Sequence, residues 1–172
     1  EAGQGEPVPP AQLPAAVPDF TGRDAQVRDL TALAPTREGP PAPATVVAIT
    51  GTAGVGKTAL AVYWSHLVRD RFPDGQLYVD LRGHATIPPL RPVDALVRFL
   101  HALGVPAQQI PPDEEEVVGL YRSLLADKRI LVVLDNAVNS EQVRPLLPGG
   151  PACLALVTSR NRLSGLVARE GA

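Results

Sequence analysis

Gly51 to Thr58, GTAGVGKT, fits the pattern G-x-x-x-x-G-K-[ST] of a phosphate-binding loop. Gly51, Gly54 and Gly56 let the backbone curl so that its N–H groups converge on phosphate oxygens. Lys57 brings positive charge to the outer phosphates, and the Thr58 hydroxyl is of the type that ligates Mg²⁺. Such chemistry also needs a carboxylate near the metal. Asp135 ends the apolar run Ile130–Leu134, and would hold Mg²⁺ partly through water, because the ion keeps part of its hydration shell. The bland alternative is an Asp that only caps the helix after it. Asn136 comes next; its amide can orient a water molecule but cannot take its proton, so rapid hydrolysis is not expected. Arg160 follows Thr158-Ser159 at the end of another apolar run, where a guanidinium can reach a terminal phosphate. Arg162 stands close enough in sequence to be the alternative.

These residues need strand ends and a helix start to bring them together. Thr45 to Thr50, TVVAIT, is a β-branched run suited to a buried parallel strand, and it leads straight into the glycine loop. Beyond the loop a helix begins at about Lys57 and runs to about Arg71, its positive N-terminal end facing the anion. Further strands are predicted at 76–81 (QLYVDL), 130–135 and 153–158 (CLALVT). Helices are predicted between them, at Pro92–Leu103, from Pro112 to about Arg129, and at about Ser140–Leu147. The acidic run Asp113–Glu116 reads as solvated charge complementing a helix dipole. A short amphipathic helix carrying Val27, Leu30 and Leu33 precedes the first strand, and proline-rich 35–44 reads as an exposed loop. Strands alternating with helices predict an α/β fold with a parallel sheet. Residues 1–18 are rich in Pro and Gly and read as an extended, poorly ordered linker. Residues 19–172 form the domain.

The bulk properties agree with one soluble domain. The chain has 172 residues, 45% hydrophobic and 20% charged, with a formal net charge of -2. That balance gives no electrostatic footprint for direct DNA contact. A single cysteine, Cys153, rules out an internal disulfide and reads as a small buried hydrophobe. There is no starting Met, signal peptide or long uncharged apolar stretch, so the expectation is a cytoplasmic fragment of a longer protein.

Taken in order, the pieces resemble the NB-ARC subgroup of STAND ATPases. The resemblance is carried by F-T-G-R at Phe20–Arg23, the loop at Gly51–Thr58, Y-V-D-L-R-G at Tyr78–Gly83, L-V-V-L-D-N-A at Leu131–Ala137 and V-T-S-R-N-R-L at Val157–Leu163. With E-Q-V-R-P-L-L-P-G at Glu141–Gly149, the wording is most similar to bacterial SARP-type regulators of antibiotic biosynthesis. The resemblance implies a three-layer P-loop NTPase sandwich, STAND/AAA+-like, with sheet order 1-4-3-2. A fifth strand is expected past Ala172, leaving the glycine-loop strand at an open edge.

It also implies roles by position. Phe20, Thr21 and Arg23 would contact adenine and ribose. Thr52, Ala53, Gly54, Val55, Gly56, Lys57 and Thr58 would cradle the phosphates, with the Ala59 backbone adjoining. Thr58 and Asp135 would hold Mg²⁺, while Lys57, Asp135, Asn136 and Arg160 would serve whatever hydrolysis occurs. Gln26 stands at best where the family has a glutamate. The helical and winged-helix subdomains that normally close over the nucleotide would lie beyond the chain. His66, His84 and His101 match no family motif and read as ordinary surface or half-buried residues.

Two classes of function follow. One is a switch, in which ATP and ADP forms differ in shape and gate a transcription regulator whose DNA contacts lie in another domain; intramolecular contacts and oligomerisation would belong to it. The other is a turnover enzyme, a plain ATPase or a small-molecule kinase. No arginine-rich lid segment is evident between Lys57 and Asp135, and the L-D-N-A ending at Leu134–Ala137 together with Arg160 as a sensor favours the switch. The same module in a signalling protein without a DNA-binding domain is a third reading. The absence of a guanine-reading N-K-x-D stretch leans toward adenine.

Overall fold

The computed structural model describes residues 9–16, 22–33, 44–51, 56–83, 88–160, 163 and 169–171, the last three as backbone only. Five parallel strands, β1 (Thr45–Thr50), β2 (Gly75–Asp80), β3 (Ile130–Ala137), β4 (Leu154–Ser159) and β5 (Arg169–Gly171), form one sheet in the order β2-β3-β4-β1-β5. The 1-4-3-2 order is as expected, with β4 between the glycine-loop strand and the Asp135 strand. The position of the fifth strand is corrected. It lies within the chain, pairing Val47↔Arg169 to Ile49↔Gly171 and covering the edge of β1 that was expected to be open. With three residues and no apolar alternation, Arg-Glu-Gly carries no strand signal in sequence.

The helices are α1 (Asp24–Leu33), α2 (Lys57–Val68), α3 (Pro92–Ala102), α4 (Glu114–Leu125) and the short α5 (Ser140–Val143). They form a layer on each side of the sheet. On one side α3 and α4 seat Leu96, Phe99, Tyr121 and Leu125 over Leu77, Val79, Val132, Leu134 and Val157. Phe99 and Tyr121 stack there at 6.0 Å. On the other side α1 and α2 seat Leu30, Leu60 and Trp64 over Val47, Ile49, Leu131, Val133 and Leu156. Asp113 caps α4, accepting from the Glu115 N–H at 3.1 Å, and the acidic residues that follow lie in the first turn as the dipole argument requires. Cys153 is buried, its thiol donating to the Lys128 carbonyl at 3.1 Å, and burial pushes its ionisation up.

The N-terminal segment, read as a poorly ordered linker, is extended but docked where it is described. Gln76 N–H donates to the Pro10 carbonyl at 2.7 Å and Gln12 N–H to the Gln76 carbonyl at 3.0 Å, so the segment runs along the outer edge of β2. Leu13 packs on the α1/α2 side of the core, and His66 Nε2 lies 2.6 Å from the Pro14 carbonyl. Gly75 makes the approach possible. A Cβ there would sit 2.8 Å from the Pro10 carbonyl oxygen, and its φ of +133 suits glycine. Both lateral edges of the sheet are therefore partly covered.

Candidate functional site

The site stands at the C-terminal edge of the strands, on the α1/α2 face. Strand alternation places it there. Leu131, Val133 and Asp135 share one face of β3, as do Leu154, Leu156 and Thr158 on β4, and Gln76, Tyr78 and Asp80 on β2. The register sets Asp80 directly opposite Asp135. On β3 and β4 the apolar residues of this face give way near the strand end to a polar side chain, Asp135 and Thr158, at the edge where open parallel sheets take ligands.

Asp135 is the centre. It is 1% exposed, and three hydroxyls converge on its carboxylate. Thr58 donates to it, with oxygens at 2.9 and 3.0 Å; Tyr78 donates at 2.7 Å and Thr158 at 2.5 Å. The Thr158 hydroxyl in turn accepts from the Asn136 N–H at 2.9 Å. Asp135 is therefore no helix cap: Asn139 caps α5, accepting from the Gln142 N–H at 2.9 Å. Burial, reinforced by the Asp135 carboxylate, pushes the Tyr78 hydroxyl above its ordinary ionisation range, so it stays a donor.

Lys57 opens α2. It is 8% exposed and its ammonium donates to the Gly51 carbonyl at 2.8 Å, folding back over the loop that precedes it. Desolvation lowers its pKa, and the nearby positive charge of Arg160 lowers it further, while Asp135 opposes both. An anion between Lys57 and Arg160 would relieve that repulsion. Gly56, at φ 78 and ψ 28, precedes a twelve-residue helix that no side chain caps, leaving the first-turn N–H groups to face an anion.

Arg23 arrives from the start of α1. The Trp64 indole N–H donates to the Thr31 hydroxyl at 3.1 Å, tying α1 to α2. A Cβ on Gly56 would lie 3.2 Å from Arg23 Nη2, so the guanidinium borders the end of the glycine loop. Ala59 lies in the first turn of α2, partly buried, and Arg160 is exposed beyond the end of β4. Phe20, Thr21, Thr52, Ala53, Gly54, Val55 and the alternative Arg162 lie outside the described residues, as does His84. Among the described residues no group of three or more His, Cys, Asp or Glu is arranged to hold a metal. A site built from Thr58 and Asp135 with phosphate oxygens and water is the kind of shell Mg²⁺ takes, since it rarely demands an all-protein cage.

Asn136 directly follows Asp135 on β3. Its φ of +59 turns the chain at a bulge between Leu134 and Ala137. Its amide donates to Asp80 Oδ1 at 3.1 Å, across to β2. Sequence reasoning passed over both Tyr78 and Asp80. A signal was present, since both precede a strand end at a spacing of two, but only the pairing of β2 with β3 reveals that they face Asp135.

The model of the NB-ARC domain family matches residues 35–169. The chain is 53% identical over 157 residues to the regulatory protein AfsR of Streptomyces griseus, and 52% identical over 160 residues to that of Streptomyces coelicolor. Each match covers 91% of this chain but 16% of the relative, so the chain spans about a sixth of the length of these curated relatives. Among solved structures, Cdc6p of Pyrobaculum aerophilum superposes with a TM-score of 0.59 at 16% identity, over 92% of this chain and 46% of that one. The Aeropyrum pernix ORC2 protein, solved as ADPNP–ADP complexes, gives 0.59 at 19% identity, over 86% and 43%. These two likenesses concern the α/β fold alone. A family match over most of the length, on a parallel sheet of order 1-4-3-2, leads to one conclusion: the chain belongs to the NB-ARC domain family.

Proposed function

We propose that this domain is an adenine-nucleotide switch, binding ATP or ADP with Mg²⁺ and hydrolysing ATP slowly, within a regulator of transcription that controls secondary metabolism. The observation that carries the reading is the meeting of Thr58 with the buried Asp135 beside Lys57. A hydroxyl and a carboxylate of the type that shares Mg²⁺ stand at the start of an uncapped helix, next to a cation made less comfortable by burial. Similarity to the two AfsR regulatory proteins supports the regulatory context. DNA contact is assigned to another domain of the parent protein, since the net charge of -2 offers no basic footprint.

Chain residues divide the work. Gly56 and the first turn of α2 supply N–H donors to the phosphates, Lys57 their countercharge, and Arg23 borders the nucleoside end. Mg²⁺, when bound, neutralises the phosphate oxygens; Thr58 and Asp135 are the residues to hold it. Arg160 reads the terminal phosphate. Among the described residues no helix is long and apolar enough to cross a membrane.

The test is equilibrium binding of ATP and ADP by calorimetry with and without Mg²⁺, together with turnover. The expected result is Mg²⁺-dependent binding with turnover far below the roughly 1–1000 per second of ordinary enzymes. Many turnovers per second would replace the switch with an enzyme. Binding of neither nucleotide would remove the reading.

A further inference from the structure

We infer that Asp80, at the end of β2, supplies the carboxylate that Asn136 lacks, acting as the base toward the water that attacks the terminal phosphate. The inference rests on the nucleotide reading above and names a further residue within the same site.

Asp80 is in register with Asp135 and points to the same face, so two carboxylates stand on adjacent strands at the ligand edge. Their surroundings differ. Asp135 is buried under three hydroxyls. Asp80 is exposed, and both of its hydrogen bonds fall on one oxygen: Oδ1 accepts from the Arg82 N–H at 2.9 Å and from the Asn136 amide at 3.1 Å. Among the described residues Oδ2 takes no donor, which leaves its lone pairs for a water proton. Asn136 and Asp80 are thus joined by one hydrogen bond: the amide follows Asp135, and the acid comes from the next strand.

The backbone holds the pair in place. Asn136 and Arg82 are the two non-glycine residues with positive φ among the described residues, at 59 and 62; Asn136 directly follows Asp135, and Arg82 stands two residues past Asp80, the register partner of Asp135. Residues in that region are strained unless their surroundings fix them, and such strain concentrates at functional sites. Here the surroundings fix them. Leu81 N–H donates to the Asp135 carbonyl at 2.8 Å and Gly83 N–H to the Asn136 carbonyl at 2.7 Å. A Cβ on Gly83 would lie 2.4 Å from the Asn136 carbonyl oxygen, so the turn after β2 fits against the bulge only with glycine there.

The step balances. The water oxygen bonds to the γ-phosphorus as its bond to the β,γ-bridging oxygen breaks. The bridging electron pair leaves with ADP, and the water proton passes to Asp80 Oδ2. The Asn136 amide holds Asp80 Oδ1, which aims Oδ2.

Asp80→Asn tests this cleanly, because an asparagine oxygen can still accept from Arg82 and Asn136, so both hydrogen bonds and the turn survive. Phosphate release from bound ATP is followed in single-turnover experiments on the purified protein, with ATP and ADP affinities measured by calorimetry. The expected result is a rate lower by about 100-fold or more, the scale of general-base catalysis, with both affinities within twofold of wild type. Asn136→Asp in the Asp80→Asn background returns a carboxylate to the site and is expected to recover at least about tenfold of that rate. In the wild-type background Asn136→Asp sets two carboxylates against each other and gives no comparable gain. Equal rates for Asp80→Asn and wild type overturn the inference, as does a wild type that binds ATP but releases no phosphate; both leave the switch intact. Loss of affinity for both nucleotides in Asp80→Asn also overturns it, making Asp80 a binding residue. A wild type that binds no nucleotide removes the underlying reading together with the inference.

Discussion

The two faces of the sheet are built from the same strands and do different work. The face under α3 and α4 is apolar through Ala48, Val79, Leu134 and Val157, and its polar groups are turned back on the protein: Ser159 donates to the Ala137 carbonyl at 2.8 Å and Tyr121 to the Leu146 carbonyl at 2.8 Å. The face under α1 and α2 is apolar only as far as Ile49, Val133 and Leu156, after which Asp135, Thr158 and Asp80 take over. One face is committed to burial along its whole length. The other gives up its last strand positions to polar groups, and the hydroxyls around Asp135 offset the cost of burying a carboxylate. Stability and ligand chemistry should therefore respond to substitutions on different faces.

Phe99→Ala should have the largest effect. It removes a fully buried ring from the α3/α4 face, and about 3–5 kcal/mol of stability should be lost in chemical denaturation. Nucleotide affinity of the folded fraction should stay within twofold; a tenfold loss would show that the faces are coupled.

Lys57→Ala should invert that pattern. It should cost about 2–5 kcal/mol of ATP binding by calorimetry, since it removes a charge paired to phosphate. Folding stability should hold or rise slightly, because the lysine is desolvated and its charged form is disfavoured in the apo fold. Equal ATP affinity for wild type and variant would remove Lys57 from the site.

Asp135→Ala should touch both properties. Thr58, Tyr78 and Thr158 would each lose an acceptor, and the buried Thr158 hydroxyl left unmet should cost about 1–3 kcal/mol. Mg²⁺ should then no longer strengthen nucleotide binding; an unchanged Mg²⁺ effect would place the metal elsewhere. Arg160→Ala is expected to weaken ATP by about tenfold, or about 1.4 kcal/mol, and ADP much less. An equal loss for both would make Arg162 the next residue to test.

The smallest effect concerns pH. Tyr78 and Tyr121 both ionise above their ordinary range because they are buried. Unfolded tyrosine loses its proton near about pH 10. Above that pH the folded state holds protons that the unfolded state has lost, so stability is complete below it and falls as pH rises. Tyr78→Phe should cost about 0.5–1.5 kcal/mol at neutral pH through the lost hydrogen bond. It should also make alkaline denaturation curves shallower. Denaturation curves of unchanged slope above pH 10 would mean that Tyr78 ionises freely in the folded protein.

Much of this was legible in the chain. Gly51–Thr58 between a β-branched run and a helix, Ile130–Leu134 ending in Asp135, and Arg160 beyond an apolar run are local signals. Apolar periodicity set the first four strands to within a residue or two of their observed ends. Less legible were the elements whose partners are distant. Residues 10–12 look like a linker, yet their backbone groups find the open edge of β2. Arg169–Gly171 looks like nothing in particular, yet three backbone pairs with β1 are enough.

By itself the sequence determined the parallel α/β class, the loop, and the lysine, threonine and aspartate around it, because strand and helix periodicity and glycine conformations are properties of neighbouring residues. Tertiary structure alone decided that Tyr78 and Asp80 stand beside Asp135. Their role depends on register, on Asp80 standing opposite Asp135 and on Asn136 turning at a bulge to reach it. Register is fixed by which faces are buried and which edges pair across more than fifty residues of chain, and no local pattern carries that information.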